Sequence, residues 1–161
     1  VSNGTVGEIV IRGENVTPGY ENNPKANAEN FTNGWFRTGD QGMMDADGYV
    51  SITGRIKEII NRGGEKISPL EIDEILLDHP AVRQVVVFGI PHEKLGEEVG
   101  AAVVLREGLD ATEHELRQHV AKRVADFKVP KRIVRLDAIP LNDTGKMQRI
   151  GMAQRLGLVN A

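Results

Sequence analysis

The chain has 161 residues, 40% of them apolar and 27% charged, with no cysteine and a net charge of −3. This length suits one ordinary domain or a small domain with an appendage, not a large self-contained enzyme. The composition excludes disulfides, thiolate metal sites and cysteine nucleophiles. No apolar run approaches the ~20 residues that span a bilayer, and an acidic chain lacks the general basic face of a nucleic-acid binder.

The opening residues carry no signal-peptide pattern, and a cysteine-free soluble chain is expected in the cytoplasm. Charge is unevenly spread. Between Lys128 and Arg155, seven Lys or Arg stand against Asp137 and Asp143, a balance of +5, so the rest carries −8. A basic tail on an acidic body fits a small anionic ligand near the C-terminus, and equally a solvated basic face.

Along the chain, GEIVIRG (7–13) alternates as a strand, and NVTPGYENNP reads as a loop from its Pro, Gly and Asn. The stretch 34–55, GWFRTGDQGMMDADGYVSITGR, reads as two strands around a tight turn at Asp45 to Gly48. A calcium loop is rejected there because Met43 stands where an acidic ligand is required. SPLEIDEILLDHP begins a helix with Ser68 as N-cap, Pro69 at the first helical position and Glu71 completing a capping box; Ile72, Ile75 and Leu76 share one face. AVRQVVVFGIP and EEVGAAVVLREG are nearly continuous apolar runs suited to strands buried on both faces.

TEHELRQHVAKRVADF repeats the capping box at Thr112 and Glu115, with Leu116, Val120, Val124 and Phe127 along a helical stripe. KRIVRLDAIP is a further strand and MQRIGMAQRLG a short terminal helix. The predicted architecture is α+β: a small domain from residue 55 to 161 with a three-stranded sheet packed by helices, preceded by a β-rich piece, 1–54. His114 and His119, five apart on their helix, do not face one metal. Trp35 and Phe36 are expected to pack the β-piece rather than to stack on a base.

Three short motifs bear on chemistry. PLNDTGKMQR (140–149) places Lys146 after a glycine in a turn, but Pro140 and Met147 occupy the positions where a phosphate loop needs Gly and Ser or Thr. In FRTGD, Asp40 is either a turn cap or a carboxylate able to accept both hydroxyls of a ribose. In GRIKEIINRGGEKISP, Arg55 and Lys57 precede a Gly63-Gly64 pair that permits close backbone approach or unusual dihedrals.

Together with GEIVIRG and in this order, these motifs resemble the C-terminal third of the adenylate-forming superfamily, which includes acyl-CoA synthetases, coumarate-CoA-like ligases, luciferases and peptide-synthetase adenylation domains. The wording is most similar to the acyl-CoA synthetase branch, particularly oxalyl-CoA-synthetase-like and medium-chain ligases. The resemblance implies an acid–CoA ligase that uses ATP to form acyl-AMP and passes the acyl group to CoA. It implies that Lys146 is the adenylation lysine, that Asp40 and Arg55 serve the nucleotide ribose, and that Lys57 is the hinge of a mobile C-terminal domain. Gly63, Gly64 and Glu65 then form the loop that faces the thioester-forming state.

Magnesium, the ATP phosphates and the acyl pocket belong, on this resemblance, to a large N-terminal domain, of which residues 1–54 are the last piece. The chain alone is therefore expected to be inactive, with that N-terminal domain as its partner. Two alternatives stay open: a peptide-synthetase-type adenylation domain serving a carrier protein, and a noncatalytic anion-binding or interaction domain of the same fold.

Overall fold

A computed structural model describes residues 1–142 and 145–159. Asp143 and Thr144, within PLNDTGKMQR, lie outside the described residues, as do Asn160 and Ala161. Backbone contacts divide the chain into two compact units, Val1–Lys57 and a second that begins at Glu58. Gly54 and Arg55 fall inside the first because their strand pairs with Gln41 and Asp40.

The first unit is an antiparallel sheet. Strand β3 (Trp35–Met44) is flanked by β1 (Gly7–Ile11), β2 (Phe31–Thr32) and β4 (Val50–Arg55). The β3–β4 turn forms where expected: the Asp45 carboxylate accepts the Asp47 and Tyr49 N–H groups, each at 2.9 Å, so the acidic residue shapes the turn. A helix that the loop reading passes over, α1 (Pro24–Asn30), starts from Asn23, whose side chain accepts the Ala26 N–H at 3.0 Å. The Asn-Pro pair was its signal, a cap followed by proline at the first turn. Phe36 tilts against Phe31 at 5.2 Å, while Trp35 lies under the Arg12 guanidinium at 4.6 Å.

The second unit opens with a hairpin of β5 (Ile60–Arg62) and β6 (Glu65–Ile67), followed by helix α2 (Pro69–Leu77). Then come β7 (Val82–His92), β8 (Gly96–Leu105), α3 (Glu113–Ala121), β9 (Arg132–Arg135) and α4 (Met152–Arg155). The three expected strands are β7, β8 and β9: β7 and β8 form a long antiparallel hairpin, and β9 runs parallel to β8 at Gly100–Val103. The β5–β6 hairpin joins β8 through Arg62 and Gly96, which extends the sheet to five strands.

Both sheet faces are covered, which is why the β7 and β8 sequences are apolar at consecutive positions. Val85 and Val87 point to the side occupied by Ile72 and Leu76 of α2 and by Leu116 and Val120 of α3. Val86 and Phe88 point to the side closed by Ile139, Met152 and Ala153.

The two capping boxes part company. At α3 the Thr112 hydroxyl accepts the Glu115 N–H and the Glu115 carboxylate accepts the Thr112 N–H. At α2, Pro69 takes the first helical position, but the Ser68 side chain makes no capping hydrogen bond. Glu71 pairs with the Lys128 ammonium, 2.8 Å from both oxygens, a charge-assisted contact across 57 residues. Helix α3 also stops at Ala121, so Val124 and Phe127 reach the core from the segment after it.

Candidate functional site

The FRTGD motif is a bulge. Val10 faces Arg37 and Glu8 faces Gln41, so β3 carries extra residues opposite Ile9. Gly39 takes φ +74° there, a conformation that side-chain-bearing residues avoid. The Thr38 hydroxyl donates to the Ile9 carbonyl at 2.8 Å and accepts the Asp40 N–H at 3.1 Å. Asp40 is thereby fixed in the middle of β3, opposite Arg55 at the end of β4, whose Nε lies 2.8 Å from Asp40 Oδ1. The structure thus brings together the two residues expected at a ribose, and a carboxylate with one oxygen paired keeps further lone pairs for hydroxyl donors.

Lys57 lies in a short 3-10 turn, Ile56–Glu58, at the end of the first unit. Gly63 and Gly64, at φ +59° and +96°, make the turn between β5 and β6, and a Cβ on Gly64 would meet no atom within 4 Å. The turn is therefore required by backbone conformation and borders open space. It is firmly based: the Gly63 N–H donates to the Leu95 carbonyl at 2.8 Å, the Asn61 N–H to Glu97 at 2.7 Å, and Arg62 Nε to Glu98 at 2.5 Å. Burial opposes the Glu98 charge, but Arg62 and the Val99 N–H outweigh it and hold that carboxyl below its usual range. Glu65 begins β6 with its side chain exposed.

Lys146 sits on a second turn. The Asn142 N–H donates to the Lys146 carbonyl at 2.8 Å, the Lys146 N–H to Asn142 Oδ1 at 2.9 Å, and Leu141 bridges Met147. The residue is exposed, and its ammonium has no partner among the described residues. The surrounding basic tail is largely neutralised: Lys128 pairs with Glu71, Arg135 with Asp110, and Arg149 with both Glu58 and Asp73.

The last of these pairs is the feature that sequence reasoning missed. Arg149 Nε donates to Glu58 Oε2 at 2.9 Å, Nη1 to the Val87 carbonyl at 2.6 Å, and Nη2 lies 2.8 Å from Asp73 Oδ2. The other Asp73 oxygen accepts the Val87 N–H at 2.8 Å. Burial pushes the Asp73 carboxyl up against the opposing pull of Arg149; burial disfavours the Arg149 charge too, yet Asp73 and Glu58 more than offset it and hold the guanidinium cationic. A signal was present in the sequence: with Pro69, Ile72 and Leu76, Asp73 completes the helical spacing of the buried face of α2.

Among the described residues, no three His, Asp or Glu side chains gather as a metal site. No magnesium ligands are therefore assigned among them. Residues 71–146 match the family described as AMP-binding enzyme C-terminal domain. That stretch of the chain belongs to this family. Among its relatives, the oxalate–CoA ligase of Arabidopsis thaliana is 55% identical over 148 residues, 92% of this chain and 29% of that protein. The oxalate–CoA ligase of Saccharomyces cerevisiae is 53% identical over 153 residues, 94% of this chain and 28% of that protein.

Among solved structures, the chain is similar to amide bond synthetase McbA from Marinactinospora thermotolerans, with a TM-score of 0.90 and 33% identity over 96% of this chain and 32% of that one. ATP-bound MatB from Rhodopseudomonas palustris gives 0.89 and 34%, over 96% and 31%. The chain thus spans less than a third of the length of these proteins.

Proposed function

We propose that this chain is the C-terminal portion of an AMP-forming acid–CoA ligase, which activates a carboxylic acid with ATP to acyl-AMP and passes the acyl group to CoA. The observation that carries this reading is the 55% identity to an oxalate–CoA ligase across nine-tenths of the chain. Local geometry supports it: a lysine whose ammonium has no partner among the described residues, a ribose-competent Asp40–Arg55 pair, and a glycine turn bordering open space.

In this reading the Lys146 ammonium enters between the acid's carboxylate and the ATP α-phosphate. It offsets the repulsion of two anions and stabilises the charge that builds as the carboxylate oxygen attacks phosphorus and pyrophosphate leaves. Asp40 accepts the ribose hydroxyls, with Arg55 holding its carboxylate in place. Lys57 is the hinge about which the second unit turns, and the backbone of Gly63, Gly64 and Glu65 lines the pantetheine path in the thioester-forming state. Magnesium and the ATP phosphates are held by the N-terminal domain of the same protein.

Oxalate is the first acid to test, since two of the relatives above are named for it. The acyl acceptor needs its own test because McbA is named as an amide bond synthetase. In the full-length protein, Lys146→Ala is expected to lower ATP–pyrophosphate exchange by roughly two to three decades. Thioester formation from supplied acyl-AMP should be largely retained. Equal loss in both half-reactions would remove Lys146 from adenylation, and an unchanged turnover with amine in place of CoA would overturn the CoA assignment.

A further inference from the structure

An exposed lysine on a turn is a poor instrument unless something holds the turn. None of the described residues between Ile139 and Met152 is buried, and Leu141 and Met147, the two ends of the turn, are each more than half exposed. Apolar packing therefore does not locate Lys146. Polar contacts do. Arg149, three residues on, sends its side chain to 16% exposure and donates in three directions, to Glu58, to Asp73 of α2 and to the Val87 carbonyl of β7. Arg155 of α4 then reaches back to Gln148 at 2.8 Å and to the Leu141 carbonyl at 3.4 Å, joining both sides of the turn.

The geometry points to Arg149 as the positioning residue of Lys146: its guanidinium fastens the lysine turn to α2, β7 and Glu58, so that the turn and the segment following Lys57 move as one body. Three elements meet at one planar cation, whose rigid fork fixes both distance and direction. Glu58 is the first residue of the second unit and directly follows Lys57. A rotation starting at Lys57 is thus passed through Glu58 and Arg149 to a lysine 89 positions away in sequence. Asp73 is committed to the same joint because its second oxygen is spent on the Val87 N–H.

The inference rests on Lys146 being the adenylation lysine, and the test separates the two. Full-length Arg149→Met, Arg149→Lys, Lys146→Ala and the Lys146→Ala/Arg149→Met double variant are compared in ATP–pyrophosphate exchange and in thioester formation from supplied acyl-AMP. Displacement of a reacting group by about 1 Å costs about a hundredfold. Arg149→Met should lower exchange kcat by roughly ten- to a hundredfold with little change in the KM for ATP, and leave the thioester step within about threefold. Arg149→Lys keeps the charge but not the fork and should fall between.

Added to Lys146→Ala, Arg149→Met should cost nothing further, because a residue that acts only through Lys146 has nothing left to position. Parallel loss in both half-reactions, or additive losses in the double variant, overturns the inference. Exchange that survives Lys146→Ala instead overturns the parent reading. Should Arg149→Met fail to fold, Glu58→Gln takes its place with the same expected pattern and a loss of roughly three- to tenfold, and an unchanged exchange kcat in that variant refutes the joint.

Discussion

The two units of this chain solve the problem of making a sheet in opposite ways. Among the described residues of the first unit only Gly42 and Gly54 are buried, and Val50 and Ile52 of β4 are 55% and 60% exposed. Among its described residues the second unit encloses 22 buried apolar side chains on two sides of one sheet. The first therefore owes its shape to hydrogen-bonded registers, an Asx turn and a bulge; the second to burial, which is the larger source of folding free energy. The difference also divides the chemistry. Asp40 is set by backbone geometry at a bulge, whereas Lys146 is set by an arginine rooted in a packed core.

The strongest way to break this comparison is to separate the units. Residues 58–161 alone are expected to unfold cooperatively in urea and to give dispersed amide resonances, while residues 1–57 alone should give neither. A cooperative transition in the shorter piece would show that its sheet needs no core.

A sharper version uses one residue type in both places. Ile72→Ala removes a side chain with 0% exposure and should cost about 2–5 kcal/mol by denaturant midpoint. Ile52→Ala, at 60% exposure, should stay within about 0.5 kcal/mol. Equal costs would erase the distinction.

The smallest effect is a pH dependence confined to the second unit. His119 Nε2 lies 3.0 Å from the Ile75 carbonyl and 2.6 Å from the Arg123 guanidinium, with the His79 ring edge-on at 5.0 Å and Asp78 paired to Arg123. Burial, then Arg123, lowers its pKa below the usual value, with the Ile75 carbonyl and Asp78 opposing. The folded state thus binds this proton less readily than the unfolded chain. Its contribution is fully present above the unfolded pKa of about 6.5 and is lost as pH falls through the lower folded value. Urea midpoints for the second unit should decline between pH 7.5 and 5.5, and His119→Gln should flatten that slope.

Much of the second unit was legible in sequence because local signals and burial agree there. The Thr112–Glu115 box, Pro69 at the start of α2 and the β-branched runs of β7 and β8 each state their own conformation. At α2 the local signal was only partly realised. Ser68 and Glu71 spell a capping box, but the Ser68 side chain makes no capping hydrogen bond, and Glu71 pairs with Lys128. The β5–β6 hairpin is only weakly marked in sequence, because its strands are three residues each.

The sequence by itself determined the family resemblance, the strands β7, β8 and β9 and the identity of the residues proposed for chemistry, because each is written in contiguous motifs whose spacing carries the information. Only the tertiary structure decided how those residues are held. Asp40 meets Arg55 through strand register, and Arg149 meets Glu58 across 91 positions. A charge pair formed by chain folding has no periodicity to read, and a buried cation looks in sequence like any other member of a basic tail.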